Sequence, residues 1–305
     1  MNILLTGAFG FIGHHLLPCL LEVGHNVVAY DLKPCAGLEP YSSKPAQVIT
    51  GNLSLGEGLD QVAWEKMDAV IHLAAAGVKA YRRNWSECVA ANIVGTTQLI
   101  NAMSSISTPP LLVYPRTFYE AYLNDLPVFK ENPYIVTKAS GAKIIETWAR
   151  CNKNARISIG TIFQIYGSGD DQGNVLSYTA KCLMDGLPAE LGSGKGLRDW
   201  IYIKDVVDGF MKVLDVSADR IQHFDLGTGK LTSLKKMAEM LASLTGSSQN
   251  LLQFDPKRDR GDTELKACAE NILPGWRANY SVEDGLAHFV KDVIRDRKLE
   301  KDSKN

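Results

Sequence analysis

Tyr134 and Lys138, four residues apart, are the two side chains of this sequence best suited to move a proton. On a helix, residues at positions i and i+4 share a face, so the phenol and the ammonium would lie side by side. A nearby cation favours the phenolate and lowers the pKa of a tyrosine from its ordinary value of about 10. The spacing therefore predicts an acid–base pair that works near neutral pH, and Lys138 could also hold a ribose hydroxyl.

A glycine-rich run near the amino terminus predicts a site for a phosphate-bearing ligand. The run Thr-Gly-Ala-Phe-Gly-Phe-Ile-Gly at 6–13 follows a short apolar strand and leads into an amphipathic segment at 14–23. Its first glycine permits a tight turn, its second lets the backbone approach a pyrophosphate, and its third lets helix and strand pack closely. Free N–H groups at the positive end of the helix would hold the phosphates. The run therefore predicts a dinucleotide site.

The acid that ends the second apolar segment indicates which dinucleotide is bound. Asp31 follows the predicted strand 26–30, 18 residues after Gly13, where a carboxylate could bind an adenosine ribose. Lys33 could meet a 2′-phosphate, but the carboxylate of Asp31 would repel that group. The sequence therefore favours NAD over NADP.

Composition and charge exclude several classes of protein. The net charge is −1, so no overall field favours nucleic acid or an anionic membrane. No apolar run approaches the roughly 20 residues of a membrane span. The six cysteines are scattered without a Cys-x-x-Cys pair, which indicates neither a disulfide framework nor a metal site. Because the first strand begins at the initiator methionine, no room is left for a signal peptide, and we expect a soluble, cytoplasmic protein.

Strand and helix patterns alternate through the first half of the chain, which predicts an α/β fold with a parallel sheet covered by helices. The predicted strands are 2–5, 26–30, 46–50, 69–74, 111–114 and 157–163. Helices are predicted over 88–103 and 134–150, the second of them capped by Asn132 with Pro133 in its first turn.

Beyond Gly167 the rhythm changes, because glycine, aspartate and serine become frequent and the segments shorten. We therefore predict a dinucleotide-binding domain at 1–168, to which 199–228 returns. The remaining predicted parts are a smaller lobe at 169–198 and 229–295 and a charged, fraying tail at 296–305.

Four motifs in this order resemble the extended short-chain dehydrogenase/reductase family of nucleotide-sugar epimerases, dehydratases and ketoreductases. They are the glycine turn, the acid after the second strand, Asn-x-x-Gly-Thr at 92–96 and the Tyr-x-x-x-Lys pair. Later segments extend the resemblance over nearly the whole chain, namely Ile-Tyr-Gly at 165–167, Leu-Arg-Asp-Trp at 197–200 and Phe-Asp-Leu-Gly-Thr-Gly at 224–229. The resemblance implies a Rossmann-like doubly wound parallel sheet with a smaller carboxyl-terminal α/β substrate lobe.

The resemblance also implies roles for individual residues. In that family a hydroxyl residue at the end of the fifth strand binds the sugar oxygen that is oxidised or reduced, and the matching residue here is Thr117. Tyr134 would exchange a proton with the sugar hydroxyl while a hydride passes to or from the nicotinamide of NAD. The implied NAD-binding residues, besides Tyr134 and Lys138, are Gly7, Phe9, Gly10, Phe11, Ile12, Gly13, Asp31, Asn52, Leu53, Leu73, Ala74, Ala75 and Asn92.

Several positions depart from the family's usual residues. Gln164 stands where an asparagine often touches the nucleotide diphosphate, Thr161 where an arginine is frequent, and Asn52 where an aspartate usually faces the adenine. The implied partner is a nucleotide-diphosphate sugar, held by Gln164, Asn174, Arg198, Arg258 and Arg260. A planar guanidinium pairs well with a diphosphate, which favours Arg198, and which of the last two arginines contacts phosphate stays open.

The residues after Thr117 bear on the type of reaction. Dehydratases of the family carry Thr-Asp-Glu at this point, whereas this chain has Thr-Phe-Tyr at 117–119, with Glu120 one place further on. Dehydration is therefore disfavoured, which leaves redox at a single sugar carbon, C4. A 4-epimerase that retains NAD and a one-way 4-keto-sugar reductase both fit. Asp31, which indicates NAD, favours the epimerase, whereas the departures in the substrate lobe favour the reductase, and we place the epimerase first.

A function of another class is a sensor or scaffold that binds the dinucleotide without turnover. Retention of Thr117, Tyr134 and Lys138 argues against it, since a sensor needs none of the three. The resemblance further implies a homodimer that forms through helices at about 92–104 and 134–150.

Overall fold

The computed structural model describes residues 1–33, 46–78, 84–123, 131–170, 174–216, 220–258 and 264–302. The chain forms two compact units. The first unit comprises Met1–Ile162, Val207–Asp225 and Leu273–Trp276, and the second comprises Phe163–Val206, Leu226–Ile272 and Arg277–Asn305.

A seven-stranded sheet forms the centre of the first unit. Its strands are β1 Asn2–Thr6, β2 Asn26–Asp31, β3 Gln47–Thr50, β4 Ala69–His72, β5 Leu111–Thr117, β6 Ile157–Ile162 and β10 Ile221–Leu226. They are ordered β10-β6-β5-β4-β1-β2-β3, and the pairs from β3 to β6 are parallel. This is the doubly wound order of a dinucleotide-binding sheet with one further edge strand, so the predicted Rossmann-like α/β fold is confirmed.

The inner strands are continuous apolar runs because helices cover both faces of the sheet. One row of the sheet pairs Leu4 with Val70, Val70 with Leu112 and Leu112 with Ile157, and all four side chains are fully buried. Burial of each such side chain contributes about 1.5–3 kcal/mol to the stability of the fold. The packed row fixes the ends of β1, β4 and β5, where the candidate site residues lie.

The described helices of the first unit that precede β6 are α1 Phe11–Glu22, α2 Trp85–Val89, α3 Thr96–Ser104 and α4 Pro133–Cys151. A π-helical turn, Ala90–Gly95, joins α2 to α3 in place of the continuous helix predicted over 88–103. α4 begins as predicted, because the Asn132 Oδ1 accepts the N–H of Tyr134 at 3.1 Å and Pro133 occupies the first turn.

The second unit contains two small sheets. β9 Leu197–Tyr202 pairs in parallel with β7 Gln164–Tyr166 and antiparallel with β11 Leu231–Ser233. β8 Ala189–Leu191 pairs in parallel with β12 Leu252–Phe254. Its helices are α5 Val175–Met184, the first turn of α6 Ile203–Asp215, α7 Leu234–Thr245 and α8 Val282–Asp302.

The structure divides the chain differently from the prediction at several places, and Leu273–Trp276, predicted in the smaller lobe, belongs to the first unit. The first unit ends at 162 instead of 168, because β7 already pairs in the second unit's sheet. For the same reason β9 belongs to the second unit, and the segment that returns to the first begins at Val207 instead of 199. The predicted tail at 296–305 is helical through Asp302, where α8 is supported by ion pairs of Arg295 with Asp292 and of Arg297 with Asp185.

Within the described ranges, no helix combines the length and the apolar character needed to cross a bilayer. In the same part of the chain, no group of three or more His, Cys, Asp or Glu side chains is arranged to hold a metal ion.

Candidate active site

The glycine-rich turn between β1 and α1 has a backbone that only glycine accommodates at two positions. Gly7 has a φ of +68°, and an added Cβ would lie 2.6 Å from the backbone nitrogen of Ala74. At Gly13 an added Cβ would lie 2.3 Å from the carbonyl oxygen of Gly7. The turn therefore contacts the segment after β4 on one side and α1 on the other, with backbone against backbone.

The amino terminus of α1 fits an anion. Its cap residue is Gly10, so no cap side chain binds the N–H groups of the first turn, which begins with Phe11 and Ile12. The N–H groups of a first turn have no partner within the helix and lie at its positive end. Beside a turn that only glycine can form, these groups suit the pyrophosphate of a dinucleotide.

Asp31, the last residue of β2, is oriented by two backbone N–H groups. Its Oδ2 accepts the N–H of Phe9 at 2.9 Å, and its Oδ1 accepts the N–H of Leu32 at 2.8 Å. The carboxylate thus borders the glycine turn with a negative charge. Such a group binds ribose hydroxyls and repels a 2′-phosphate, so the geometry suits NAD better than NADP.

Asn52 and Leu53 follow β3 and begin a short 3₁₀ turn. The Asn52 Oδ1 accepts both the N–H and the hydroxyl of Ser54, at 3.0 and 2.8 Å. Glu57 accepts the N–H of Asn52 at 2.8 Å, and the side chain of Leu53 is buried. The amide oxygen of Asn52 is therefore used within the turn, and the implied contact of this residue with the adenine stays a prediction.

The segment after β4 lies against the glycine turn. The N–H of Leu73 donates to the carbonyl of Thr6 at 3.0 Å, and the N–H of Ala74 donates to the Thr6 hydroxyl at 3.3 Å. Leu73, Ala74 and Ala75 are all partly exposed. Their partial exposure is compatible with the predicted contacts of these residues with NAD, which stay predictions.

His72, the last residue of β4, links three elements below the site. Its Nδ1 lies 2.7 Å from the hydroxyl of Thr6, and its Nε2 lies 3.0 Å from the hydroxyl of Thr96. Thr96 donates to the carbonyl of Asn92 at 2.8 Å and so accepts from His72, which assigns the ring proton to Nε2. Burial, together with the nearby charge of Lys138, lowers the pKa of His72 to about 3, so the ring is neutral at pH 7.

Asn92 lies in the π-helical turn and connects two segments of the site. Its Oδ1 accepts the N–H of Ala76 at 2.9 Å, and its Nδ2 donates to the carbonyl of Ala76 at 3.0 Å and to the Thr137 hydroxyl at 2.9 Å. Thr137 in turn donates to the carbonyl of Pro133 at 2.7 Å. Because the Asn92 side chain is buried and both amide hydrogens are used, the geometry favours a positioning role, and its implied contact with NAD stays a prediction.

Lys138 is buried on α4 against the ring of Tyr114. Its Nζ lies 3.7 Å from the ring centroid, and the Tyr114 hydroxyl donates to the Lys138 carbonyl at 3.3 Å. Burial lowers the pKa of Lys138 to about 7, while the carboxylate of Glu120 acts in the opposite direction. Burial also raises the pKa of Tyr114 well above its ordinary value, so this phenol stays protonated.

Thr117 ends β5, as predicted, and caps the 3₁₀ turn Phe118–Tyr122. Its hydroxyl oxygen accepts the N–H of Tyr119 at 3.4 Å, and the Glu120 Oε1 accepts the N–H of Thr117 at 3.1 Å. The hydroxyl hydrogen of Thr117 therefore stays available to a substrate oxygen.

The predicted catalytic residues converge on Tyr114. Thr117 follows it three residues later on the same strand, and Lys138 lies over its ring. Tyr134 is close enough for its charge to act on the phenol of Tyr114. All three predicted catalytic residues therefore belong to one end of the sheet in the first unit.

The predicted substrate residues lie in the second unit. Gln164 begins β7, and Asn174 caps α5, its Oδ1 accepting the N–H of Leu176 at 3.1 Å while its Nδ2 donates to Asp170. The Asn174 amide is thus occupied within its own loop. The contacts of Gln164 and Asn174 with a substrate stay predictions.

The arginines of the second unit have different environments. Arg198 lies in β9 and donates through Nη1 to the carbonyl of Leu197 at 2.9 Å. Arg258 is exposed, and its Nε lies 3.4 Å from the carboxylate of Asp255. Arg260 lies outside the described residues. The phosphate-binding roles of the three arginines therefore stay predictions.

The comparison with protein families agrees with this geometry. The model of the NAD dependent epimerase/dehydratase family matches residues 3–227, which include the glycine turn, Asp31, Thr117, Tyr134 and Lys138.

The chain belongs to the NAD dependent epimerase/dehydratase family.

Members of this family resemble the chain over nearly its whole length. The CDP-abequose synthase of Salmonella muenchen is 26% identical over 302 residues, covering 95% of this chain and 97% of that protein. The UDP-glucose 4-epimerase of Erwinia amylovora is 28% identical over 330 residues, covering 96% of each. The structure of MoeE5 in complex with UDP-glucuronic acid and NAD has a TM-score of 0.83 and 27% identity, covering 97% of this chain and 100% of that one.

Several residues of this epimerase/dehydratase family member were missed by the sequence analysis. The hydrogen-bonded chain from Thr6 through His72 to Thr96 joins elements far apart in sequence, and no local signal marks it. The capping role of Glu120 had such a signal, because Thr-x-x-Glu at 117–120 has the spacing of a capping box.

Proposed function

We propose that this chain is an NAD-dependent 4-epimerase that acts on a nucleotide-diphosphate hexose. The observation that carries the proposal is the i, i+4 spacing of Tyr134 and the buried Lys138 on α4, in the same unit as a glycine turn and an Asp31 carboxylate that suit NAD. Relatives named UDP-glucose 4-epimerase and the MoeE5 complexes with UDP-sugars and NAD support a UDP-hexose as the substrate.

The residues of the site have distinct roles in this proposal. Tyr134 takes the proton of the C4 hydroxyl when the sugar is oxidised and returns a proton when the keto sugar is reduced. Thr117 donates its hydroxyl hydrogen to the C4 oxygen, and the positive charge of Lys138 favours the phenolate of Tyr134. NAD, when bound, supplies the hydride chemistry. Return of the hydride to the opposite face of the keto sugar inverts C4 without net redox.

Other reactions of the family fit less well. The run at 117–119 lacks the Asp-Glu that a dehydratase would use after its active hydroxyl. A one-way 4-keto-sugar reductase would use the same three residues but would release its cofactor after each turnover. Similarity to a CDP-abequose synthase also leaves the base open, so a CDP-sugar belongs in the substrate screen beside the UDP-sugars.

The experiment that tests the proposal is to identify the nucleotide released from freshly purified, acid-denatured protein by chromatography. Stoichiometric NAD that survives purification is the expected result, since an epimerase recycles its hydride internally. A site that takes up NADH or NADPH only when added would point to the reductase. Failure to hold any dinucleotide would overturn the enzyme proposal altogether.

Turnover by the wild type and by Tyr134→Phe then distinguishes an enzyme from a sensor. The variant should retain NAD but lose most epimerisation of UDP-glucose, because the phenol oxygen that moves the proton is gone. If the wild type and Tyr134→Phe both bind NAD and neither converts a UDP-sugar, the result favours the sensor.

A homodimer is part of the proposal. The helical run from α2 to α3 exposes apolar side chains at Trp85, Val89 and Val94, which are 52%, 37% and 39% exposed. On α4, a shallow surface depression is lined by Ile144 with three polar neighbours. A twofold contact through these helices would bury both surfaces, and light scattering should give twice the chain mass of 33.5 kDa.

The cytoplasm is the proposed compartment. All cysteines in the described residues are free of disulfide bonds, including the buried Cys88. Free thiols at five positions suit a reducing environment. Fractionation with an antibody against the native protein would check this assignment.

A further inference from the structure

Three charged side chains lie near Tyr114, and two of them, Arg116 and Glu120, are not used by the chemistry described above. Arg116 on β5, Glu120 in the 3₁₀ turn after β5, and Lys138 on α4 surround the buried ring of Tyr114. Two of the charges are positive and one is negative. Glu120 is therefore the single anion that this cluster offers to two cations.

One carboxylate oxygen of Glu120 accepts a hydrogen bond, and the other is in an ion pair without one. Oε1 accepts the N–H of Thr117 at 3.1 Å, and Oε2 lies 3.0 Å from the Nε of Arg116. The side chain of Glu120 is 1% exposed, whereas that of Arg116 is 30% exposed. A carboxylate taken so far out of water is costly unless nearby cations keep it ionised. Burial raises the pKa of Glu120, and the charges of Arg116 and Lys138 oppose that rise.

The buried ammonium of Lys138 likewise requires a nearby negative charge to stabilise it. It is 3% exposed and lies over the Tyr114 ring, where burial favours the neutral amine. His72 on β4 is neutral, and Tyr114 stays a phenol, so neither supplies a negative charge. The face of the Tyr114 ring favours the ammonium of Lys138, and among the charged groups near it Glu120 is the one that acts in the same direction.

We propose that Glu120 is a positioning residue of the active site, which keeps Lys138 an ammonium and fixes Thr117 at the end of β5. The inference rests on the proposed redox function, because it names what keeps the acid–base pair of that function charged. With Glu120 ionised, Arg116 and Lys138 leave one net positive charge in the cluster. Ionisation of Tyr134 then brings the group of four to neutrality, which favours the phenolate at the moment the sugar hydroxyl loses its proton.

The test compares wild type with Glu120→Gln, which keeps an amide oxygen for the Thr117 N–H but removes the charge. The pH dependence of kcat/KM with UDP-glucose is measured for both proteins. Because the pKa of Lys138 is about 7, loss of the anion should move the high-pH limb about one unit lower, so that kcat/KM falls about tenfold at pH 8 and about twofold at pH 6 but changes little at pH 5. Glu146→Gln, the same substitution at a partly exposed glutamate of α4 that pairs with Lys143, is the matched control and should leave the profile in place.

Two readouts separate this proposal from a purely structural role of Glu120. Glu120→Asp retains the charge and should restore the wild-type pH profile even if turnover is lower. In protein labelled with ¹³C-lysine, the Lys138 signal, identified by its loss in Lys138→Met, should titrate at lower pH in Glu120→Gln than in wild type. This second readout needs no turnover, so it stands even if the proposed function fails.

The proposal is overturned if the profile and the Lys138 titration of Glu120→Gln coincide with those of wild type and of Glu146→Gln. If Glu120→Gln shows no cooperative thermal transition, Lys138→Met tests the same interaction by removing the cation instead of the anion. Without the ammonium, the buried Glu120 carboxylate loses a counter-charge, so the melting temperature of Lys138→Met should fall further below that of wild type as the pH rises from 4.5 to 6, below the pH at which Lys138 itself loses its proton. A difference that does not grow with pH would also overturn the proposal.

Discussion

Replacement of His72 by glutamine should remove a defined part of the acid sensitivity of this fold. His72 is fully buried and neutral, and its pKa of about 3 lies far below the value of about 6.5 expected in the unfolded chain. The unfolded chain therefore binds a proton in acid that the folded chain does not. The resulting stabilisation is present above pH 6.5 and is lost as the pH falls towards 3.

The size of the effect follows from those two pKa values. Between pH 7.5 and pH 5.0, protonation of His72 in the unfolded chain should reduce the free energy of unfolding by about 2 kcal/mol. The glutamine of His72→Gln does not titrate, and it can still donate to Thr96 and accept from Thr6. The variant should therefore be less stable than wild type at pH 7.5 but lose about 2 kcal/mol less on acidification.

Urea unfolding at the two pH values measures this difference. With a slope of about 3 kcal/mol per molar urea, 2 kcal/mol corresponds to a relative shift in midpoint of roughly 0.7 M. His223→Gln serves as the control, because His223 is half exposed and only 3.7 Å from Glu146 in a surface pair. Its pH dependence should follow wild type within about 0.5 kcal/mol. Equal acid sensitivity of wild type and His72→Gln would refute the assignment of His72 as a buried neutral ring.

Three further substitutions test the frame around the site. Gly13→Ala should abolish NAD retention, because the added Cβ would lie 2.3 Å from a carbonyl oxygen of the turn. Gly95→Ala, whose added Cβ has no contact closer than 3.4 Å, should retain NAD. Release of the nucleotide by acid checks both variants. Asn92→Asp should lower the free energy of unfolding in urea by about 1–3 kcal/mol, because a carboxylate cannot donate to the backbone carbonyl and the threonine hydroxyl that the amide now binds. Asp31→Ala should let NADPH bind stripped protein about as tightly as NADH in fluorescence titrations, because the anionic repulsion of the 2′-phosphate is gone.

Much of the first unit could be predicted from the sequence because its signals are local. The strands are apolar runs bounded by glycine or polar residues, and the structure has each of them within a few residues of the predicted limits. The start of α4 was predicted correctly because the residues that determine it, the cap Asn132 and the following Pro133, are adjacent in the sequence. The same holds for Gly7 and Gly13, whose backbone contacts leave no room for a side chain.

The remaining features depend on contacts between elements that the sequence does not place together. The proton arrangement of His72 follows from Thr6 and Thr96, which lie 66 and 24 residues away. The end of the first unit was placed too late because β7 pairs with β9, a strand more than 30 residues further on. The tail was predicted to fray because it is charged, yet α8 continues through Asp302 and Arg297 of the tail forms an ion pair with Asp185.

The central claim is that one hydride leaves C4 of a nucleotide sugar and returns to the same carbon. UDP-glucose carrying deuterium at C4 is incubated with the purified protein, and the product is examined by NMR and mass spectrometry. The account predicts a C4 epimer that keeps its deuterium, formed by wild type and almost not at all by Tyr134→Phe. An epimer that has lost its deuterium to solvent, or a protein that holds NAD and converts no UDP- or CDP-hexose, would contradict it.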